Sequence, residues 1–173
     1  GVGKTLVACA VIRGLRKRGI DAAGMKAVET GVGEGGPLDA IALREAAGSG
    51  DPLELVSPQR FALAAAPAVA AGAAGAAVDL DAIRAAFAAL GARRQLVVVE
   101  GAGGLLVPLT ASTCMADLAR DLSLPLLLWN GNGDGGNVDG GSLVSSSEGL
   151  LEFSVPLDAV FALTNTPIMT LPW

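Results

Sequence analysis

The apolar positions of the first 129 residues fall into two alternating periods. Between Lys4 and Arg18, Val7, Val11 and Leu15 recur every four residues, the repeat of one helical face. Arg16, Lys17 and Arg18 complement the negative end of that helix, and Gly19 supplies its stop. Residues 20–28 then read as a strand, most clearly over 25–28. A Gly-rich loop follows at 31–36, and Pro37 is placed to open a helix reaching Ala47. The stretch 62–77 is a run of Ala and Gly with one Pro, whose pattern fits no single element. Asp79 has the position of an N-cap; Leu80, Ile83, Phe87 and Leu90 mark one helical face, and Gly91 ends it. Residues 96–99 are uninterruptedly β-branched or aliphatic and end in Glu100, as a strand buried on both faces does. A further helix over Met115–Asp121 and a buried strand over 124–129 complete the series. Helices alternating with buried strands predict an α/β fold, a parallel sheet flanked by helices.

Composition sharpens this picture and divides the chain. The 173 residues suffice for one domain with a sizeable core. Half are hydrophobic, yet no apolar run approaches the roughly 20 residues of a membrane span, and the opening residues do not resemble a secretory leader. Cys9 and Cys114 lack metal-ligand spacing and read as buried thiols of a reduced, cytoplasmic protein. There is no His, the commonest general base. The net charge of −5 is uneven: all twelve Lys and Arg lie between Lys4 and Arg120, balanced there by twelve acids, whereas 130–173 holds five acids and no base. A neutral domain offers no electrostatic footprint for nucleic acid. At Asn130 the character changes to a run with six Gly, three Asn and two Asp, followed by a Ser-rich stretch. The division predicted is a domain over 1–129 and an anomalous acidic tail over 130–173, frameshifted or foreign in origin. The Gly/Asp run superficially resembles calcium-binding repeats, but one unrepeated copy lacks the stacked neighbours such turns need, and a flexible segment is the simpler reading.

Three groups of residues carry chemistry. Gly1-Val2-Gly3-Lys4-Thr5 matches the second half of a phosphate-binding loop, in which Gly backbone N–H groups approach phosphate, Lys neutralises it, the hydroxyl binds Mg²⁺ and a helix N-terminus follows. A Gly turn before an ordinary helix would look the same. Glu100 closes a buried strand, at the edge where α/β sheets bind ligands, and Gly101, Gly103 and Gly104 let a ligand approach the backbone; the alternative is a strand-ending surface carboxylate. Lys26 interrupts an apolar strand and needs a partner or a task, unless it reaches solvent; Thr30 lies in the loop beyond it. Asp39 begins a helix, where it would at least favour the dipole.

In order along the chain, the Gly1–Thr5 segment, Met25-Lys26-Ala27-Val28-Glu29-Thr30-Gly31, Asp39-Ala40 and Val99-Glu100-Gly101-Ala102-Gly103-Gly104 resemble the motifs of the dethiobiotin synthetases. Val107-Pro108-Leu109, Ala116-Asp117-Leu118-Ala119 and the region 53–71 with Pro58, Phe61 and Pro67 extend the resemblance to about Leu128. It implies a P-loop NTPase-like fold whose first strand and opening Gly-Thr-Asp-Thr precede Gly1. It implies a cyclo-ligase of biotin synthesis that takes diaminopelargonate, CO₂ or bicarbonate, and ATP with Mg²⁺, and closes a cyclic urea through a carbamate and its mixed anhydride with phosphate. By the same resemblance Gly1, Val2, Gly3, Lys4, Thr5, Glu100, Gly101 and Gly103 bind ATP, and Lys4 and Lys26 serve catalysis. Thr5, Asp39 and Glu100 hold Mg²⁺; Lys26, Thr30 and Gly104 meet the substrate; and the protein is a homodimer. Ala27 departs from the Pro usual after the strand lysine, and no counterpart of the family's later Gly/Asn/His segment follows Trp129. The start inside the phosphate loop and the compositional break at Asn130 predict that the 173-residue chain alone forms no dethiobiotin. The rival resemblances are to cobyrinate diamide synthases and partition-type ATPases, beside a non-catalytic fragment; the block from Lys26 to Gly31 favours the synthetases.

Overall fold

The computed structural model describes residues 3–128, together with the backbone of two later strands. In order, the elements are α1 (Lys4–Lys17), β1 (Ala22–Lys26), β2 (Val28–Thr30), α2 (Leu38–Ala47), α3 (Leu53–Val56), β3 (Gln59–Phe61), α4 (Pro67–Ala73), α5 (Leu80–Gly91), β4 (Leu96–Glu100), α6 (Met115–Asp121) and β5 (Leu126–Leu128), then β6 (Ser142–Val144) and β7 (Val160–Leu163). Gly1, Val2, Trp129 and the tail, its Gly/Asp-rich run included, lie outside the described residues except for the backbone of β6 and β7.

The helices follow their local signals closely. Asp79 accepts a hydrogen bond from the Ala82 backbone N–H and caps α5. The predicted stop at Gly91 falls one residue late: Gly91 is the last helical residue, and Ala92, Arg93 and Arg94 close the end by donating to the Ala88 and Leu90 carbonyls. The strand read over 20–28 is two strands. Ile20 is held in the turn that ends α1, its N–H donating to the Leu15 carbonyl, so β1 begins only at Ala22. After Lys26 the chain leaves the main sheet, and Val28–Thr30 pairs in parallel with β3 in a small second sheet. Within the ambiguous run 62–77, Pro67 opens α4.

The main sheet has the order β1-β4-β7-β5-β6. β1 and β4 are parallel and in register, Ala22 opposite Leu96 and Lys26 opposite Glu100. β7 lies antiparallel between β4 and β5, and β6 pairs antiparallel with β5. Alternation along β1 and β4 divides the core. Ala23, Met25, Val97 and Val99 face Ile83 and Leu90 of α5 and Leu118 of α6; Val98 faces Ile12 of α1 and Leu43 of α2. All of these are 0–3% exposed, and each buried aliphatic side chain contributes on the order of 2 kcal/mol. Gly24 fixes how closely α1 and α2 approach the sheet, since a Cβ there would lie 2.7 Å from Leu43 Cβ and 2.9 Å from Ile12 Cδ1. Of the two thiols predicted as buried, Cys9 is buried and Cys114 half-buried at the start of α6.

Candidate active site

Parallel strands in register end on one edge of a sheet, so the pairing of β1 with β4 brings the side chains of Lys26 and Glu100 together. The Lys26 ammonium lies 2.6 Å from Glu100 Oε1 and 2.7 Å from Asp39 Oδ2, Asp39 standing in the first turn of α2. Thr5, at the start of α1, donates its hydroxyl to Glu100 Oε1 at 2.9 Å. Gly3 caps that helix with φ 85° and ψ 18°, a left-handed conformation open to glycine and costly to other residues. Lys4 follows it as the first helical residue.

Two charges of this cluster are almost dry, with 6% of the Lys26 side chain exposed and 1% of that of Glu100. Burial works to lower the Lys26 ammonium, but the carboxylates of Glu100 and Asp39 outweigh it and hold its pKa above the ordinary lysine value. On Glu100 burial prevails over the attraction of Lys26 and raises the carboxyl. Asp39 is also pushed up by burial, yet Lys26 and Thr5 win and hold it below the usual range. Glu100 Oε2 is buried with no hydrogen-bond partner among the described residues.

The cluster opens on a cavity of about 630 Å³ whose polar side is lined by Gly3, Lys4, Thr5, Lys26, Asp39 and Glu100. The lining also has an apolar part that includes Val28, residues 64–67, Ala102 and Val107, together with Thr30 and Gly103. A cationic and carboxylate-bearing floor beside an aliphatic wall suits an anionic, partly aliphatic ligand.

A phosphate-loop glycine, a Lys-Thr pair opening a helix and a strand-end carboxylate thus share one cavity. A family model described as an AAA domain matches residues 1–139. The chain belongs to this AAA domain family. Its fold is the α/β fold of P-loop proteins, parallel strands flanked by helices. The AAA domain is 55% identical over 128 residues to the ATP-dependent dethiobiotin synthetase of Anaeromyxobacter dehalogenans (strain 2CP-C), covering 74% of this chain and 57% of the relative. It is 45% identical over 132 residues to that of Aromatoleum aromaticum, covering 73% and 58%. With that of Xylella fastidiosa (strain 9a5c) it shares 40% over 132 residues, covering 74% and 58%. The chain spans somewhat over half the length of these curated relatives.

The AAA domain gathers most of the residues singled out from the sequence. Gly3, Lys4, Thr5, Lys26, Thr30, Asp39, Glu100 and Gly103 all line the cavity. Gly101 and Gly104 do not; Gly101 is buried and lines a separate small cavity with Met115 and Leu118. Gly1 and Val2 lie outside the described residues. The apolar lining is not legible as a site in the sequence, because Ala and Val look alike in a core and in a binding wall. Nor is Glu29. The residue is 5% exposed, and its carboxylate accepts from the backbone N–H groups of Asp39, at 2.9 Å, and Ala40, at 3.1 Å. Burial raises the Glu29 carboxyl, against the pull of those two donors. An acid flanked by Val28 and Thr30 in a strand was the available signal.

Among the described residues no helix is long and apolar enough to cross a membrane.

Proposed function

We propose that this chain carries the nucleotide-binding and carbamate-activating part of a cytoplasmic, homodimeric enzyme that closes diaminopelargonate with CO₂ to dethiobiotin at the expense of ATP. The observation that carries the reading is the convergence of Thr5, Lys26, Asp39 and Glu100 beside Lys4 and Gly3 in one cavity. The names of the similar synthetases support an ATP-dependent reaction that yields dethiobiotin.

The donor set fits Mg²⁺. Thr5, Asp39 and Glu100 offer hard oxygens, and Glu100 Oε2 is a buried acceptor lacking a partner among the described residues. Among those residues no cluster of three or more acidic, His or Cys ligands exists, so this is not an all-protein cage. Two carboxylates and a hydroxyl leave positions for phosphate oxygens, as Mg²⁺ sites of nucleotide enzymes do. Bound there, the cation would neutralise the β- and γ-phosphates.

The remaining work falls to the chain's own groups. Lys4 and the N-terminus of α1 hold the phosphates. One amine of the substrate takes up CO₂ as a carbamate, and a carbamate oxygen attacks the γ-phosphorus while ADP leaves. Lys26 neutralises the carbamate and the transferring phosphoryl group. The second amine then attacks the carbonyl carbon of the mixed anhydride, phosphate leaves, and the ring is closed. Thr30 contacts the substrate, and the wall from Val28 to Val107 takes its aliphatic chain.

Calorimetric titration of ATP into the full chain tests the cation part of the reading. Affinity should rise at least tenfold with Mg²⁺, and Glu100→Gln should remove most of that increment. Binding of ATP that ignores Mg²⁺, or no binding at all, would contradict it.

A further inference from the structure

We infer that Glu29 is a positioning residue for Asp39, holding it from behind so that its carboxylate faces Lys26 and the cavity. The inference rests on the nucleotide–cation reading above, because Asp39 matters only if that site is used. Its basis is geometric. Val28 and Thr30 line the cavity, and the period of two in a strand sends the side chain between them to the opposite side. There the Glu29 carboxylate spans the start of α2, Oε1 accepting from the Asp39 N–H at 2.9 Å and Oε2 from the Ala40 N–H at 3.1 Å. α2 otherwise begins without a side-chain cap, its N-cap being Pro37. The capping therefore comes from a neighbouring strand rather than from the residue before the helix.

Asp39 is thus gripped on two sides, its main chain by Glu29 and its side chain by Lys26 at 2.7 Å. Lys26 and Glu29 sit on either side of the step between β1 and β2, so one short piece of chain sets both contacts. The other charge near this strand is committed elsewhere: Arg60, opposite Glu29 in the β2–β3 register, pairs with Glu54 at 3.8 Å. A Gln in place of Glu29 keeps the volume but presents an N–H₂ group to one of the two N–H donors. That loosens the first turn of α2 and lets the Asp39 carboxylate wander.

The test compares three versions of the 173-residue chain, wild type, Glu29→Gln and Asp79→Ala, by thermal melting and by titration with Mn²⁺ and ATP followed by electron paramagnetic resonance. Asp79→Ala removes the N-cap carboxylate of α5, away from the cavity. Glu29→Gln should weaken Mn²⁺–ATP binding about tenfold, while Asp79→Ala lowers the melting midpoint and leaves the affinity within twofold. Equal losses in the two variants, or an unchanged affinity in Glu29→Gln, would make Glu29 a structural cap only and overturn the inference while sparing the site. A wild-type chain with no cation-dependent ATP binding would overturn both.

Discussion

The Lys26 ammonium occupies the space between Asp39 and Glu100 in which a cation would sit, touching both carboxylates. On the proposed reading, ammonium and divalent ion would contend for the same oxygens. Lys26→Met keeps the length of the side chain but leaves Glu100 buried with no charge partner and Asp39 close by. Without divalent cations the variant should lose on the order of 3 kcal/mol in urea unfolding, the range for breaking a buried pair. Saturating Mg²⁺ should restore a large part of it. A loss that is the same with and without Mg²⁺ would mean that the carboxylates do not take the ion. Lys26 and Glu100 were legible in the sequence because a charge inside or ending an apolar run has few uses, whereas Asp39 was marked only by the family resemblance. Glu29 was not: whether a strand carboxylate meets solvent or a helix N-terminus depends on where α2 packs, which no local pattern records.

Between elements, an ion-pair chain ties α1 to the start of β1 and to the turn after α5. Arg16 pairs with Asp21, Asp21 with Arg94 at 3.2 Å, and Arg94 donates from two nitrogens to Asp51 at 2.9 and 3.1 Å. Burial raises the Asp51 carboxyl, but the Arg94 hydrogen bonds outweigh it and hold it below the usual range. A carboxyl depressed in the native state contributes stability above its unfolded value, about pH 4, and that contribution disappears as pH falls through the native value. Asp51→Asn should therefore destabilise the chain at pH 7 and flatten the loss of stability below about pH 4, read from urea midpoints across pH. A mutant curve parallel to wild type through the acid limb would contradict this. The packing of α1 and α2 on β1 makes a second prediction. Gly24→Ala forces a Cβ into Leu43 and Ile12 and should cost about 1–3 kcal/mol, whereas Gly14→Ala, with nothing within 4 Å of the added carbon, should be tolerated or stabilising. Among the elements, α5 and β4 were legible because a cap or an unbroken apolar run marks them. The split between β1 and β2 was not, since the buried pattern runs straight through Ala27 while the chain changes sheets. Nor could composition reveal that β7 pairs antiparallel between β4 and β5.

For the molecule as a whole, an α/β domain of the AAA domain family places Gly3, two lysines and two carboxylates around one cavity that also has an aliphatic lining. The central claim is that this arrangement activates a carbamate with ATP. The direct measurement exchanges the matched 128-residue segment of the Anaeromyxobacter dehalogenans synthetase for the corresponding residues of this chain and follows phosphate release from ATP. The account predicts that phosphate appears only when diaminopelargonate and bicarbonate are both present, in step with dethiobiotin, and that Lys26→Met lowers the rate at least a hundredfold. Phosphate release indifferent to the diamine would contradict the account and point to an ATPase of the partition type.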